Sequence, residues 1–206
     1  MLSRRSLAVR WAWLLVAPLF LLAPAASRAE TTAADIPPAA LKAKLDAGLF
    51  APVDGISVRE FAHIVFDLFA RDDLGEAKIL ADHKVTKAQF DHANEVMTGR
   101  MKDDKTFKFI DIYGAYYIET APGPFAALAK DVYNSVLNGV PLREPEPMKW
   151  EDYMRITGFY ARKAPFAKDT SRRSYDEILG DQGINFIDFQ VLGAWFSRRV
   201  ALGAPN

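Results

Sequence analysis

Ser57-Val58-Arg59-Glu60-Phe61-Ala62-His63-Ile64-Val65-Phe66-Asp67-Leu68-Phe69 carries the clearest helical signal in the chain. Ser57 and Glu60 stand at the spacing of a capping box, where each side chain can satisfy a backbone N–H left open at a helix start. Val58, Phe61, Ala62, Val65, Leu68 and Phe69 then recur at helical spacing and make one apolar stripe. Asp72 and Asp73 end it.

The same pattern repeats downstream. A short helix is expected over Leu74–Ala81, capped by Asp73. Thr86, with Gln89 three residues on, caps a helix whose stripe is Phe90, Ala93, Met97 and Met101. Phe107–Ile118 begins like a strand, but its length and its helical neighbours favour a helix. Ala121-Pro122-Gly123-Pro124 is a turn, with Pro124 suited to a first helical position. The helix that follows runs to Leu137 and ends at Asn138-Gly139. Val140–Pro147 holds three prolines in eight residues and reads as an extended connector. Trp150, Tyr153, Met154, Thr157, Tyr160 and Ala161 form another stripe. A basic loop over 163–174 and a short helix over 175–179 follow. Asn185 caps a last helix with Phe189, Leu192, Phe196 and Val200 facing inward.

Upstream, Ala39–Ala47 can form a short helix and Ala51–Gly55 a turn. The reading is therefore all-α: one compact domain over 55–206, of about seven or eight helices, behind a flexible lead-in with a short helix at 30–54. Two stretches, 56–101 and 148–200, share the order long helix, short helix, cap, long helix. Leu80, Asp82, Thr86, Phe90 and Arg100 parallel Leu179, Asp181, Asn185, Phe189 and Arg199. Duplication into two pseudo-symmetric units and two unrelated amphipathic hairpins both fit this pattern.

The first 29 residues read as an export signal. Arg4, Arg5 and Arg10 make a basic start, and Trp11–Ala23 is apolar. Ser27 and Ala29 are placed for cleavage before Glu30. The apolar run is shorter than the roughly 20 residues that a bilayer span requires. Ser3-Arg4-Arg5-Ser6-Leu7 approaches a twin-arginine address, with Ala8 where a larger apolar residue is usual. The general secretory route is the favoured one. The expected location is the bacterial periplasm or the medium. There is no cysteine, which rules out disulfides, thiolate metal sites, c-type haem attachment and a lipidated cysteine. The chain carries 26 basic and 26 acidic residues. Four of the arginines lie in the signal, which leaves 22 against 26, a net charge of −4. Nucleic-acid binding, which needs clustered positive charge, is not expected. No second apolar run in the mature chain approaches spanning length.

Four sets of residues could carry chemistry. Glu60 and His63 have the E-x-x-H spacing of metal-carboxylate bundles, against the simpler reading of a cap and a surface histidine. Asp91, His92 and Glu95 are a second acidic–histidine group, read as a solvated face, and His83 falls in a loop. Glu119-Thr120-Ala121-Pro122-Gly123-Pro124-Phe125-Ala126 resembles, over these eight residues, the E-S-x-x-x-P-x-A segment of lytic transglycosylases. Thr120 replaces that family's serine and Gly123 its asparagine, and its G-L-M-Q continuation is missing. The resemblance implies a peptidoglycan-cleaving enzyme with Glu119 as general acid. The fourth set is aromatic: Tyr113, Tyr116 and Tyr117 in one segment, Trp150, Tyr153, Phe159 and Tyr160 in another. Their polar tips suit half-wet binding surfaces, which makes Tyr113, Tyr117, Trp150 and Tyr153 candidate ligand contacts. With no complete catalytic constellation, the leading expectation is an exported, non-enzymatic binding module. It would need no cofactor, and would take a protein partner or a small apolar ligand. The alternatives are the Glu119 enzyme and a metal-binding bundle.

Overall fold

The computed structural model describes residues 48–162 and 179–203. The signal segment, the Ala39–Ala47 helix, the basic loop and the helix expected from Tyr175 lie wholly or almost wholly outside them. Within the described residues there are seven α-helices and no strand: α1 Val58–Ala70, α2 Glu76–Asp82, α3 Lys87–Asp103, α4 Lys108–Ile118, α5 Ala126–Asn138, α6 Trp150–Arg162 and α7 Phe186–Ala201. The all-helical reading holds.

The caps follow from sequence. Ser57 Oγ accepts from the Glu60 amide at 3.1 Å, which fixes the start of α1. Thr86/Gln89 and Asn185/Asp188 form two-way capping boxes at α3 and α7. Three starts fall later than the sequence suggests. Asp72–Leu74 makes a single 3₁₀ turn and α2 begins after Gly75. Pro124 and Phe125 stay in the turn before α5. Phe107 adopts a left-handed conformation, φ 59°, so α4 begins at Lys108. Asp104 explains this last shift: its carboxylate accepts from the Thr106 amide at 2.9 Å and the Phe109 amide at 2.8 Å. The chain must turn sharply at Phe107 to present both donors to one carboxylate.

α4 is the middle of the domain. It packs against α1 on one side and α5 on the other, while α7 packs on α5 and α4. α2 and α3 flank α1. Phe61, Ile64, Val65, Phe109, Ile110, Tyr113, Leu192 and Phe196 belong to one continuous buried core. Trp150 and Tyr153 join α6 to it through Phe196, with ring centroids at 5.3 and 4.6 Å. Gly193 permits that approach, since a Cβ there would lie 3.1 Å from the Tyr153 hydroxyl. Met154, expected in the inward stripe of α6, is 42% exposed instead.

Buried polar groups tie the helices together. Asp131 on α5 accepts from the amides of Arg143 and Glu144, pinning the proline-rich connector. Arg198 on α7 donates to the Ser135 hydroxyl and carbonyl, each at 2.8 Å. The likeness between 56–101 and 148–200 extends to the capping boxes of α3 and α7. Their surroundings differ: α7 packs on α5 and α4, whereas α3 lies at the α1–α2 flank and touches the edge of α4.

Candidate functional site

The polar groups on the outer side of the α1–α4–α5 seam converge on Glu119. Arg59 and His63 sit one turn apart on α1, so both face the same way. Glu119 closes the C-terminal end of α4. Arg59 Nε donates to Glu119 Oε2 at 2.9 Å and Nη2 donates to Oε1 at 2.5 Å. His63 Nε2 is 3.1 Å from Oε2. The carboxylate is thus held side-on by a guanidinium and touched by an imidazole. Its side chain is 17% exposed, against 24% for His63 and 53% for Arg59.

Two tyrosines frame the group. The Arg59 guanidinium lies 6.0 Å from the Tyr116 ring centroid, within the range of a cation–π contact. Tyr116 in turn meets Tyr133 of α5, with centroids 6.1 Å apart. Both rings are half-buried. The charges act on one another across the group. The hydrogen bond that Arg59 donates to Glu119 holds the guanidinium above its usual range, outweighing the opposing effect of partial burial. Tyr133 is also pushed up, first by burial and then by the negative charge of Glu119, with Arg59 acting in the opposite direction. Its hydroxyl therefore stays protonated and able to donate.

The other sequence-selected residues lie elsewhere. Tyr113 and Tyr117 point into the core, 3% and 5% exposed, beside Phe61 and Phe66. Tyr153 is 2% exposed, and Trp150 is half-buried against Phe196. Burial pushes the phenol of Tyr153 up to about 12 and that of Tyr113 higher still. Glu60 gives its amide to the Ser57 cap, while the contact of His63 is with Glu119. Among the described residues no group of three or more His, Asp or Glu is gathered as a metal would require. His92 meets Asp54 at 2.7 Å, and His83 meets Asp67 at 2.9 Å beside Arg71. Each of the three histidines of the chain thus contacts a carboxylate from another part of the fold.

Sequence reasoning singled out Glu119 and His63 separately and did not join them. It passed over Arg59 and Tyr133. The one local signal for Arg59 is its position four residues before His63; the sixty residues to Glu119 hide the rest. Chemically, the arrangement offers a fixed, half-exposed guanidinium, a phenol and an imidazole. The carboxylate serves as an acceptor, with both oxygens engaged. In the comparisons with known proteins, no family model, no curated protein and no solved structure matches the chain.

Proposed function

We propose that this protein is an exported binding module, and that the surface around Arg59, Glu119, His63, Tyr116 and Tyr133 contacts its partner. The observation that carries the reading is the two-point Arg59–Glu119 pair at the edge of two half-buried tyrosines. Tyrosine and arginine are the side chains most enriched where protein interfaces concentrate their binding energy. An arginine already fixed by its own carboxylate loses little side-chain freedom on binding, which favours affinity. Export rests on the basic, apolar and small-residue succession over the first 29 residues. Among the described residues, no helix is long and apolar enough to cross a membrane.

The enzyme alternative needs Glu119 to carry a proton to a glycosidic oxygen. Both carboxylate oxygens are already engaged, by Arg59 and by His63, which leaves Glu119 poorly placed to reach a glycosidic oxygen, so binding is the preferred reading. Native mass spectrometry of protein drawn from the periplasm of an expressing bacterium tests the proposal. The wild type should carry a partner that Arg59→Ala and Tyr133→Ala both release. A partner retained by both variants would refute the assigned surface. Peptidoglycan cleavage by the wild type and not by Glu119→Gln would replace binding with catalysis.

A further inference from the structure

Glu119 occupies only one edge of Arg59. The bonds come from Nε and Nη2, whereas a guanidinium carries five N–H donors in a rigid planar fork. Nη1 and the second Nη2 proton form the other edge, and Arg59 makes no further hydrogen bond among the described residues. Its side chain is 53% exposed. The Tyr133 hydroxyl likewise has no hydrogen-bond partner there. Three guanidinium N–H groups, two of them in a planar pair, and the phenolic O–H are therefore open to a ligand at this place.

Resting on the reading above, we propose that the open edge of Arg59, with the Tyr133 hydroxyl, anchors a carboxylate group of a protein partner. A planar pair of donors matches the two oxygens of a carboxylate. Glu119 offsets part of the guanidinium's attraction, so the fit of the planar fork to two coplanar oxygens, rather than net charge, sets the class. Glu119 and the Tyr116 ring act as positioning groups that hold the guanidinium in place. The carboxylate can belong to an acidic side chain or to a chain terminus.

The test is a nitrogen–proton NMR titration of the full-length mature protein, following the Arg59 Nε–H signal and the backbone amides of residues 116–120. The probes are acetyl-Ala-Ala-Ala with a free carboxylate, acetyl-Ala-Glu-Ala amide, acetyl-Ala-Ala-Ala amide and inorganic phosphate. At least one carboxylate peptide should saturate these shifts, and the uncharged amide should bind about tenfold more weakly or not at all. The stronger of the first two probes identifies a terminal or a side-chain carboxylate. Arg59→Lys should weaken binding by about tenfold, since an ammonium cannot supply the fork, and Tyr133→Phe should weaken it less. Equal binding of the amide, tighter binding of phosphate, unchanged affinity in Arg59→Lys, or no binding of either carboxylate peptide would overturn the inference. The native partner separates this from the broader proposal. Retention by Arg59→Lys with release by Arg59→Ala and Tyr133→Ala removes the carboxylate anchor and keeps the surface. Retention by all three removes both.

Discussion

α4 carries tyrosines in two opposite conditions. Tyr113 and Tyr117 lie on its inner face and are almost wholly buried. Tyr116, between them in sequence, turns outward to Arg59 and Tyr133. At about 100° per residue the three positions, i, i+3 and i+4, span about 100° of the helix, and Tyr116 falls at the edge of that stripe, where α4 meets solvent beside Arg59. The inner pair contributes apolar area and ring packing to the core. The outer one contributes a platform for a charged group. The lesson is that an aromatic-rich segment does not name a binding site; the face of the helix does.

Four changes would break or sharpen that contrast, taken from the largest effect to the smallest. Phe109, on the inner face of α4, is fully buried and stacked on Phe50 at 5.6 Å. Phe109→Ala should cost about 3–5 kcal/mol in denaturant unfolding. A loss below about 1 kcal/mol would mean that this face is not close-packed.

The second test is alkaline. Tyr153 is a buried tyrosine like the inner pair, held at about 12 in the folded chain, while an unfolded tyrosine releases its proton near 10. Its contribution to stability is present in full below pH 10 and is lost as pH rises towards 12. The unfolding free energy should fall there by on the order of 1.4 kcal/mol per pH unit for such a group. Tyr153→Phe should flatten that part of the curve. A slope unchanged by the substitution would contradict the burial of the hydroxyl.

Third, Asp104→Ala removes the carboxylate that gathers the Thr106 and Phe109 amides. The start of α4 should loosen at a cost of about 1 kcal/mol, with faster hydrogen exchange at Phe109 and Ile110. Unchanged exchange at these two amides would show that the Phe107 turn is set by something else. The smallest effect on stability belongs to the outer face. Arg59→Ala opens a pair whose guanidinium is half-exposed, and should cost about 0–1 kcal/mol. A loss of several kcal/mol would make Arg59 a structural residue rather than a binding one.

Much of the fold was legible because its determinants are local. Ser57, Thr86 and Asn185 cap the helices that they appear to cap, and the Phe90–Ala93–Met97–Met101 stripe is buried as its spacing requires. Gly139 ends α5 with φ 65°, as the Asn-Gly pair suggests. The misplacements are also local in cause. The start of α4 depends on a side chain at Asp104, which hydropathy does not register. The site was far less legible. Glu119 drew attention through its neighbours, and His63 through its spacing from Glu60. Their contact crosses fifty-six residues, and Arg59 reaches the same carboxylate from an exposed position that no apolar pattern marks. The aromatic residues chosen as ligand contacts were selected by type. Type alone does not distinguish Tyr117 from Tyr116.

The central claim is that the Arg59–Glu119–His63 group, with its two tyrosines, is a surface for recognition and not for holding the fold. Native mass spectrometry of Arg59→Ala beside the wild type, with thermal unfolding of both, tests it most directly. The account predicts loss of the co-isolated partner with nearly unchanged unfolding. Retention of the partner by a variant that still folds would contradict it.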